Sequence, residues 1–333
     1  ITQLDWKYTT PIQKDILPRA LKGFDMIGKA QTGTGKTAAF LVTIIEHCLR
    51  NRLKKHSKAS PRALIIAPTR ELAIQIGKDS KQLNAYSKLR TVVLYGGIDF
   101  NKQLKLLEEN KVDIVVATPG RLLDFENRGY ITLRFVEIMV IDEADRMLDM
   151  GFINDVKKIV KVIPKKRQTL FFSATMPTAV ESLASNLLYK PEQISIKPSS
   201  TPVKKINQLV CFVRAEDKRK YLQNLLKKVN FYSVIIFTRT KHGANRLAAE
   251  IKSSTIISDA LHGNKSQAAR QRSLKDFKSG KVNVLVATDI AARGIDIEGI
   301  SHVINYELPN VPEDYIHRIG RTARAGATGT AIS

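Results

Sequence analysis

Met26-Ile27-Gly28-Lys29-Ala30-Gln31-Thr32-Gly33-Thr34-Gly35-Lys36-Thr37 is the stretch that decides the fold. A short apolar run gives way to a glycine-rich loop and then to a helix-period segment, with Leu41, Ile44, Ile45 and Cys48 at i, i+3, i+4 and i+7. Strand, loop and helix in that order are the setting in which a phosphate-binding loop works. Gly33 and Gly35 let the backbone curl so that N–H groups, Gln31, Thr32 and Thr34 among them, and the helix N-terminus face phosphate oxygens. Lys36 adds a point charge for the β- and γ-phosphates, and the Thr37 hydroxyl suits Mg²⁺. Ala30 stands where the strict pattern has glycine; the competing reading is a glycine-rich turn with an exposed lysine.

Outward from this loop, apolar β-branched runs alternate with helix-period segments, the pattern of mostly parallel sheets covered by helices on both faces. Candidate strands are Leu64–Ala67, Val92–Tyr95, Ile114–Ala117, Ile138–Ile141, Leu170–Phe172 and Ile194–Ile196, then Leu209–Val213, Val234–Phe237, Val284–Ala287 and Val303–Tyr306. Lys197-Pro198-Ser199-Ser200-Thr201-Pro202 can extend neither a helix nor a central strand, so it reads as a linker. At 333 residues the chain divides naturally into two α/β domains, 1–197 and 206–333, joined by 198–205. Val115-Val116-Ala117-Thr118 and Leu285-Val286-Ala287-Thr288 form a faint internal echo.

With 54 Lys+Arg against 31 Asp+Glu the net charge is +23, shared as +12 over 1–197 and +11 over 198–333. A charge on both halves points to a polyanionic partner rather than a cationic tail. A hydrophobic content of 43% and no apolar run near the ~18 residues of a membrane span argue against disordered and membrane-spanning chains. Cys48 and Cys211, far apart, fit reduced thiols and no zinc site. The chain opens at Ile1 without Met and stops in an apolar stretch, as a trimmed fragment would. Residues 50–62 form a basic loop, either a solvated surface or a nucleic-acid contact.

Asp142, Glu143 and Asp145 cluster where the apolar run Met139-Val140-Ile141 ends, the edge at which parallel sheets bind ligands. Asp142 would hold Mg²⁺, partly through water, and Glu143 would orient or deprotonate the attacking water. Downstream, Arg318, Arg321 and Arg324 at i, i+3 and i+6 would share one helical side, either solvated or with Arg321 and Arg324 reaching a γ-phosphate.

These residues, with Pro68-Thr69-Arg70-Glu71-Leu72, Gly96-Gly97, Thr118-Pro119-Gly120-Arg121, Ser173-Ala174-Thr175, His262-Gly263, Gln267, Arg270, Ala291-Ala292-Arg293-Gly294-Ile295-Asp296 and His317–Arg324, resemble the DEAD-box RNA helicases along nearly the whole chain. The family takes its name from Asp142-Glu143-Ala144-Asp145. The resemblance implies two tandem RecA-like domains, ATP with Mg²⁺, and RNA-dependent ATP hydrolysis coupled to unwinding of short duplexes or remodelling of RNA–protein complexes. Gln13 would read the adenine edge while Trp6, in place of the usual Phe or Tyr, stacks on its face; Trp6 as a core anchor is the bland alternative. Asp296 would bind the ribose. Asp145, Ser173, Thr175 and His317 would couple hydrolysis to RNA. Thr69, Arg70, Gly97, Thr118, Gly120 and Arg121, with Gly263, Gln267 and Thr288, would touch phosphate and 2′-OH rather than bases, so single-stranded and duplex RNA are bound without sequence preference. Wording around Arg324-Ala325-Gly326-Ala327 is similar to the RhlE-type subgroup. A cytoplasmic monomer off the membrane, with protein partners in RNA decay or ribosome assembly, completes the expectation. The rivals are an ATP-gated RNA clamp that does not unwind, a DNA-translocating helicase, and a P-loop kinase, which leaves Arg321, Arg324 and the second domain unexplained.

Overall fold

In the computed structural model, residues 8–30, 33–51, 59–109, 111–196, 206–228, 232–253, 255–292, 299–323 and 328–333 are described. The chain forms two compact units, 1–198 and 199–333. In the first, α1 (Pro11–Ala20) precedes β1 (Met26–Lys29), α2 (Lys36–Arg50), β2 (Ala63–Ile66), α3 (Arg70–Leu83), β3 (Thr91–Leu94) and α4 (Phe100–Glu108). Then follow β4 (Ile114–Ala117), α5 (Pro119–Asn127), β5 (Ile138–Ile141), α6 (Ala144–Asp149), α7 (Ile153–Val162), β6 (Gln168–Ser173), α8 (Thr178–Leu187) and β7 (Glu192–Ser195). The seven strands pair in parallel in the order β3-β4-β2-β5-β6-β1-β7.

Such strands bury both faces, which is why they are continuous apolar runs. Every residue of β2, β4 and β5 is buried. Alternation then sorts them: Leu64, Ile66, Val115, Met139 and Ile141 enter one core, whereas Ala63, Ile65, Ile114, Ile138 and Val140 enter the core on the other face. Truncating one of the Leu, Ile or Met side chains among them to alanine costs about 2–5 kcal/mol. All the loops that leave strands at their carboxyl ends therefore gather along one sheet edge.

The second unit repeats the plan with β8 (Ile206–Leu209), α9 (Lys218–Lys228), β9 (Val234–Phe237), α10 (Lys241–Ile251), β10 (Ser258–Leu261) and α11 (Gln267–Lys278). β11 (Val284–Ala287), α12 (Asp289–Ala292), β12 (His302–Asn305), α13 (Pro312–Ile319) and β13 (Gly329–Ile332) complete it. Its six strands are also parallel, in the order β10-β11-β9-β12-β13-β8.

Two sequence expectations change. The strand expected at Leu209–Val213 ends at Leu209, because its register is set by β13, whose four residues pair with 206–209; the last ladder bonds are Ser333 N to Leu209 O and Cys211 N to Ser333 O. Arg318 and Arg321 do not share a helical side, because α13 ends at Ile319 and Arg321 lies beyond it; Arg324 lies outside the described residues. Strands β10 and β13, rich in Ser, Asp, Gly and Thr, escape an apolar-run search. The linker at 198–205 lies outside the described residues.

Candidate functional site

The phosphate-loop candidate leaves β1 and runs into α2 at the carboxyl edge of the first sheet. Gly33 and Gly35 have φ of +83° and +94°. Gly35 is required twice, because a Cβ there would also stand 2.6 Å from Gln13 Nε2 and 2.8 Å from Thr10 Oγ1. Gln13 is locked in place: its Oε1 accepts from Thr10 N at 3.0 Å and its Nε2 donates to Gly35 O at 3.1 Å. The adenine-reading candidate and the phosphate loop are thus one hydrogen-bonded body. Thr34 and Thr37 are partly exposed at the loop's rim. Trp6, Gln31 and Thr32 lie outside the described residues.

Lys36 is buried, donating to Ala30 O at 2.8 Å and standing 3.8 Å from Asp142 Oδ1. That carboxylate sits just past β5, fully enclosed. Burial pushes the Asp142 pKa up, the Lys36 ammonium draws it down and Glu143 pushes it up again, leaving it above the usual carboxylate range. Glu143 N donates to Asp142 Oδ1 at 3.0 Å, and Glu143 itself adopts the left-handed conformation, φ +55°. Its Oε2 pairs with Arg146 Nη1.

Asp145 lies in the first turn of α6 and binds the loop after β6. Its Oδ2 accepts from Ala174 N at 3.1 Å, Thr175 N at 2.8 Å and Thr175 Oγ1 at 2.9 Å. Ser173 Oγ in turn accepts from Asp145 N at 3.1 Å and donates to Thr175 O at 2.6 Å. Asp145, Ser173 and Thr175 therefore form a closed network.

The remaining candidates of this unit follow the neighbouring strands. Thr69, after β2, caps α3 by accepting from Leu72 N at 3.3 Å. Arg70 folds over Gly97, after β3: a Cβ on Gly97, whose φ is +83°, would stand 2.1 Å from Arg70 Nη1. Thr118 precedes α5, after β4, and Gly120 is exposed with open space around it. Arg121 Nη2 donates to Ile98 O at 2.9 Å, and its guanidinium lies 5.5 Å from the Phe100 ring centroid and 6.0 Å from that of Phe125. Phe100 and Phe125 stack at 4.2 Å. Sheet order divides the edge: the RNA candidates follow β3, β4 and β2 and the phosphate loop follows β1, with Asp142–Asp145 after β5 and the coupling candidates Ser173 and Thr175 at the end of β6 between them.

In the second unit, Gly263 follows β10 and Thr288 follows β11, its neighbour. His262 holds the turn before Gly263, with Nε2 2.8 Å from Asn245 Oδ1 and Nδ1 accepting from Asn264 N at 3.3 Å. Burial, then Lys265 and Lys241, lower its pKa. Gln267 begins α11; its side chain lies outside the described residues, as do Asp296 and Arg324. His317 lies on α13, half-buried, and Arg321 is buried with Nε donating to the His317 carbonyl at 3.2 Å. Arg318 is not solvated: Nε and Nη2 fork onto Asp289 at 2.6 and 2.7 Å, and Nη1 donates to Glu307 O at 2.6 Å, so it braces the sheet edge.

Three features escaped the sequence reading. Arg146 was signalled only by its i+3 spacing from Glu143, and Phe100 only by the arginine it would meet. Thr238–Lys241 follow β9 at the same edge as Gly263 and Thr288, with Lys241 Nζ donating to Asn264 Oδ1 at 2.9 Å.

The DEAD/DEAH box helicase family matches residues 10–183, and the helicase conserved C-terminal domain matches 217–326. The chain belongs to the DEAD-box helicase family. An ATP-dependent RNA helicase RhlB from Pseudomonas syringae pv. tomato is 48% identical over 336 residues, covering 100% of this chain and 85% of the relative. CshA of Listeria monocytogenes, also named an ATP-dependent RNA helicase, is 44% identical and covers 100% of this chain and 63% of its own length. Among solved structures, S. cerevisiae Dbp5 bound to RNA and ADP BeF3 matches with a TM-score of 0.85 at 34% identity, over 100% of this chain and 85% of that one. The relatives carry the names RhlB and CshA; they lend no support to the RhlE-type likeness. Among the described residues no helix is long and apolar enough to cross a membrane.

Proposed function

We propose that this chain hydrolyses ATP in response to RNA and uses the cycle to separate short RNA duplexes locally or to remodel RNA–protein complexes. The observation that carries this reading is the position of the Asp145–Ser173–Thr175 network. It joins α6, which follows β5 and Asp142, to the end of β6, with Lys36 after β1 on one flank and the RNA candidates after β2, β4 and β3 on the other.

Within that reading, residues 1–197 form the ATP-binding domain, 198–205 the linker and 206–333 the C-terminal helicase domain. Gln13 reads the adenine edge, which favours ATP over GTP, and Trp6 stacks on it. Gly33, Gly35 and the backbone of Gln31, Thr32 and Thr34 wrap the phosphates, Lys36 neutralises them, and Asp296 holds the ribose. Thr37 and Asp142 would hold Mg²⁺. The donor set fits that ion: one hydroxyl, one carboxylate and no His or Cys suit a hard cation that keeps its waters and shares phosphate oxygens. When bound, it would offset charge on the phosphates. Glu143 orients the attacking water and takes its proton. Arg321 and Arg324 offset charge developing on the γ-phosphate. Asp145, Ser173, Thr175 and His317 relay RNA occupancy to the base.

RNA is held by Thr69, Arg70, Gly97, Thr118, Gly120 and Arg121, and by Gly263, Gln267 and Thr288, through backbone phosphate and 2′-OH, independent of sequence. The basic charge of both halves supports this, and binding weakens steeply with salt. The test is steady-state ATP turnover without nucleic acid, with single-stranded RNA and with DNA of equal sequence at one salt concentration. Stimulation by RNA alone supports the reading, and equal turnover in all three overturns it. Duplex separation per ATP then distinguishes a helicase from an ATP-gated clamp.

A further inference from the structure

Arg146 is placed oddly for a charged residue of a short amphipathic helix. It is the third residue of α6, only 8% exposed, and its Nη1 pairs with Glu143 Oε2. Its Nε and Nη2 are buried with no hydrogen-bond partner among the described residues. A guanidinium carries five donors in one rigid plane, and burying donors unmatched is unfavourable. Stability alone would be served better by an apolar side chain of the same volume. What this arginine does is join two functional carboxylates. Its backbone N–H donates to Asp145 Oδ1 at 3.1 Å, while Asp145 Oδ2 holds Thr175. Its side chain holds Glu143, whose left-handed backbone does not by itself fix where the carboxylate points.

We propose that Arg146 is a positioning residue for hydrolysis, orienting the Glu143 carboxylate from the same helical turn that ties Asp145 to the Ser173–Thr175 loop. A shift of that loop moves α6, and the ion pair carries the shift to the base. This rests on Glu143 acting on the attacking water, as assigned above.

The test uses the full chain with ATP and single-stranded RNA, comparing Arg146→Met, Arg146→Lys, Glu143→Gln and the double variant Arg146→Met/Glu143→Gln. Methionine keeps the stem's volume and removes the donors; lysine keeps a charge without the fork. Arg146→Met is expected to lower RNA-stimulated kcat about ten-fold with KM for ATP and RNA affinity within about two-fold, and Arg146→Lys to recover part of the loss. In the Glu143→Gln background, single-turnover measurements should show the second substitution changing the residual rate by less than about two-fold, because both act through one group. A folded Arg146→Met protein with unchanged kcat, or an equal loss in both backgrounds, overturns the proposal. If Arg146→Met does not fold, Arg146→Lys decides alone: a folded lysine variant with wild-type kcat overturns it, and a selective kcat loss supports it. Normal turnover in Glu143→Gln would instead overturn the role of Glu143, a distinguishable result.

Discussion

Two clusters of buried charge stand at opposite ends of the first sheet, and they are built differently. At the amino ends of β2 and β5, Arg62 is satisfied throughout. Nε donates to Glu137 Oε1 at 3.1 Å and Nη2 to Glu137 Oε2 at 2.8 Å, Nη1 donates to Cys48 O at 3.1 Å, and His47 Nε2 shares Glu137 Oε2 at 2.5 Å. At the carboxyl ends, Lys36 and Asp142 stay 3.8 Å apart, the Asp142 pKa is raised, and Arg146 keeps two donor atoms unmatched among the described residues. The contrast teaches what each end is for. A charge cluster that satisfies itself contributes stability, whereas one left incomplete is organised around something that binds.

The sharpest way to break this comparison is to neutralise one glutamate in each cluster. Glu143→Gln should lower RNA-stimulated turnover by about 10²–10⁴-fold, while nucleotide affinity and thermal midpoint stay close to wild type, since glutamine still accepts from Arg146. Turnover within a few-fold of wild type would make the carboxyl-end cluster structural too. Glu137→Ala should do the reverse. It strands Arg62, which is 3% exposed, and should lower the unfolding free energy by about 3 kcal/mol. The kcat of the folded protein should not move; a kcat loss there would blur the division of labour.

The same pair gives a pH signature. Burial alone would raise the Glu137 pKa, but hydrogen bonds from His47 and Arg62 outweigh it and hold the carboxyl down at about 2, against 4.5 for the unperturbed group. A depressed carboxylate contributes stability fully above pH 4.5 and loses it as pH falls toward 2. Urea midpoints of wild type and Glu137→Gln should therefore differ most above pH 5 and converge by pH 2. The difference at neutrality should be about 2 kcal/mol once solvent screening is counted. A gap independent of pH would mean that packing, not charge, makes the pair matter.

How much of this was legible in sequence follows the same division. Central strands could be read because parallel strands buried on both faces must be apolar runs; β4, β5, β9 and β11 match their expected limits, while edge strand β10 and the Gly- and Thr-bearing β13 carry no such signal. Phosphate-loop and carboxylate candidates could be read because glycines, a lysine and acids at strand ends have few other reasons to occur together. Arg318 and Arg62 could not, and Arg146 carried only its i+3 spacing from Glu143. Whether an arginine is solvated, braces a sheet edge or holds a carboxylate depends on partners from distant segments. Asp289 for Arg318 and Glu137 for Arg62 are 29 and 75 residues away, and spacing within one helix says nothing of them.

The smallest expected effect probes the boundary between the two kinds of cluster. Arg121 is satisfied at Nη2 by Ile98 O but its buried Nη1 has no hydrogen-bond partner among the described residues, and it rests against Phe100 and Phe125. It therefore shares features of both ends of the sheet. Phe100→Leu keeps an apolar contact and the α4 helix but removes the ring face, a change worth about 0.5–1 kcal/mol. If Arg121 is incomplete because RNA phosphate completes it, loosening its aromatic support should raise half-saturation by RNA about two- to five-fold. RNA-saturated kcat and ATP affinity should hold. An unchanged RNA response with a lower thermal midpoint would place Arg121 with Arg62, as a cation whose work is finished when the domain has folded.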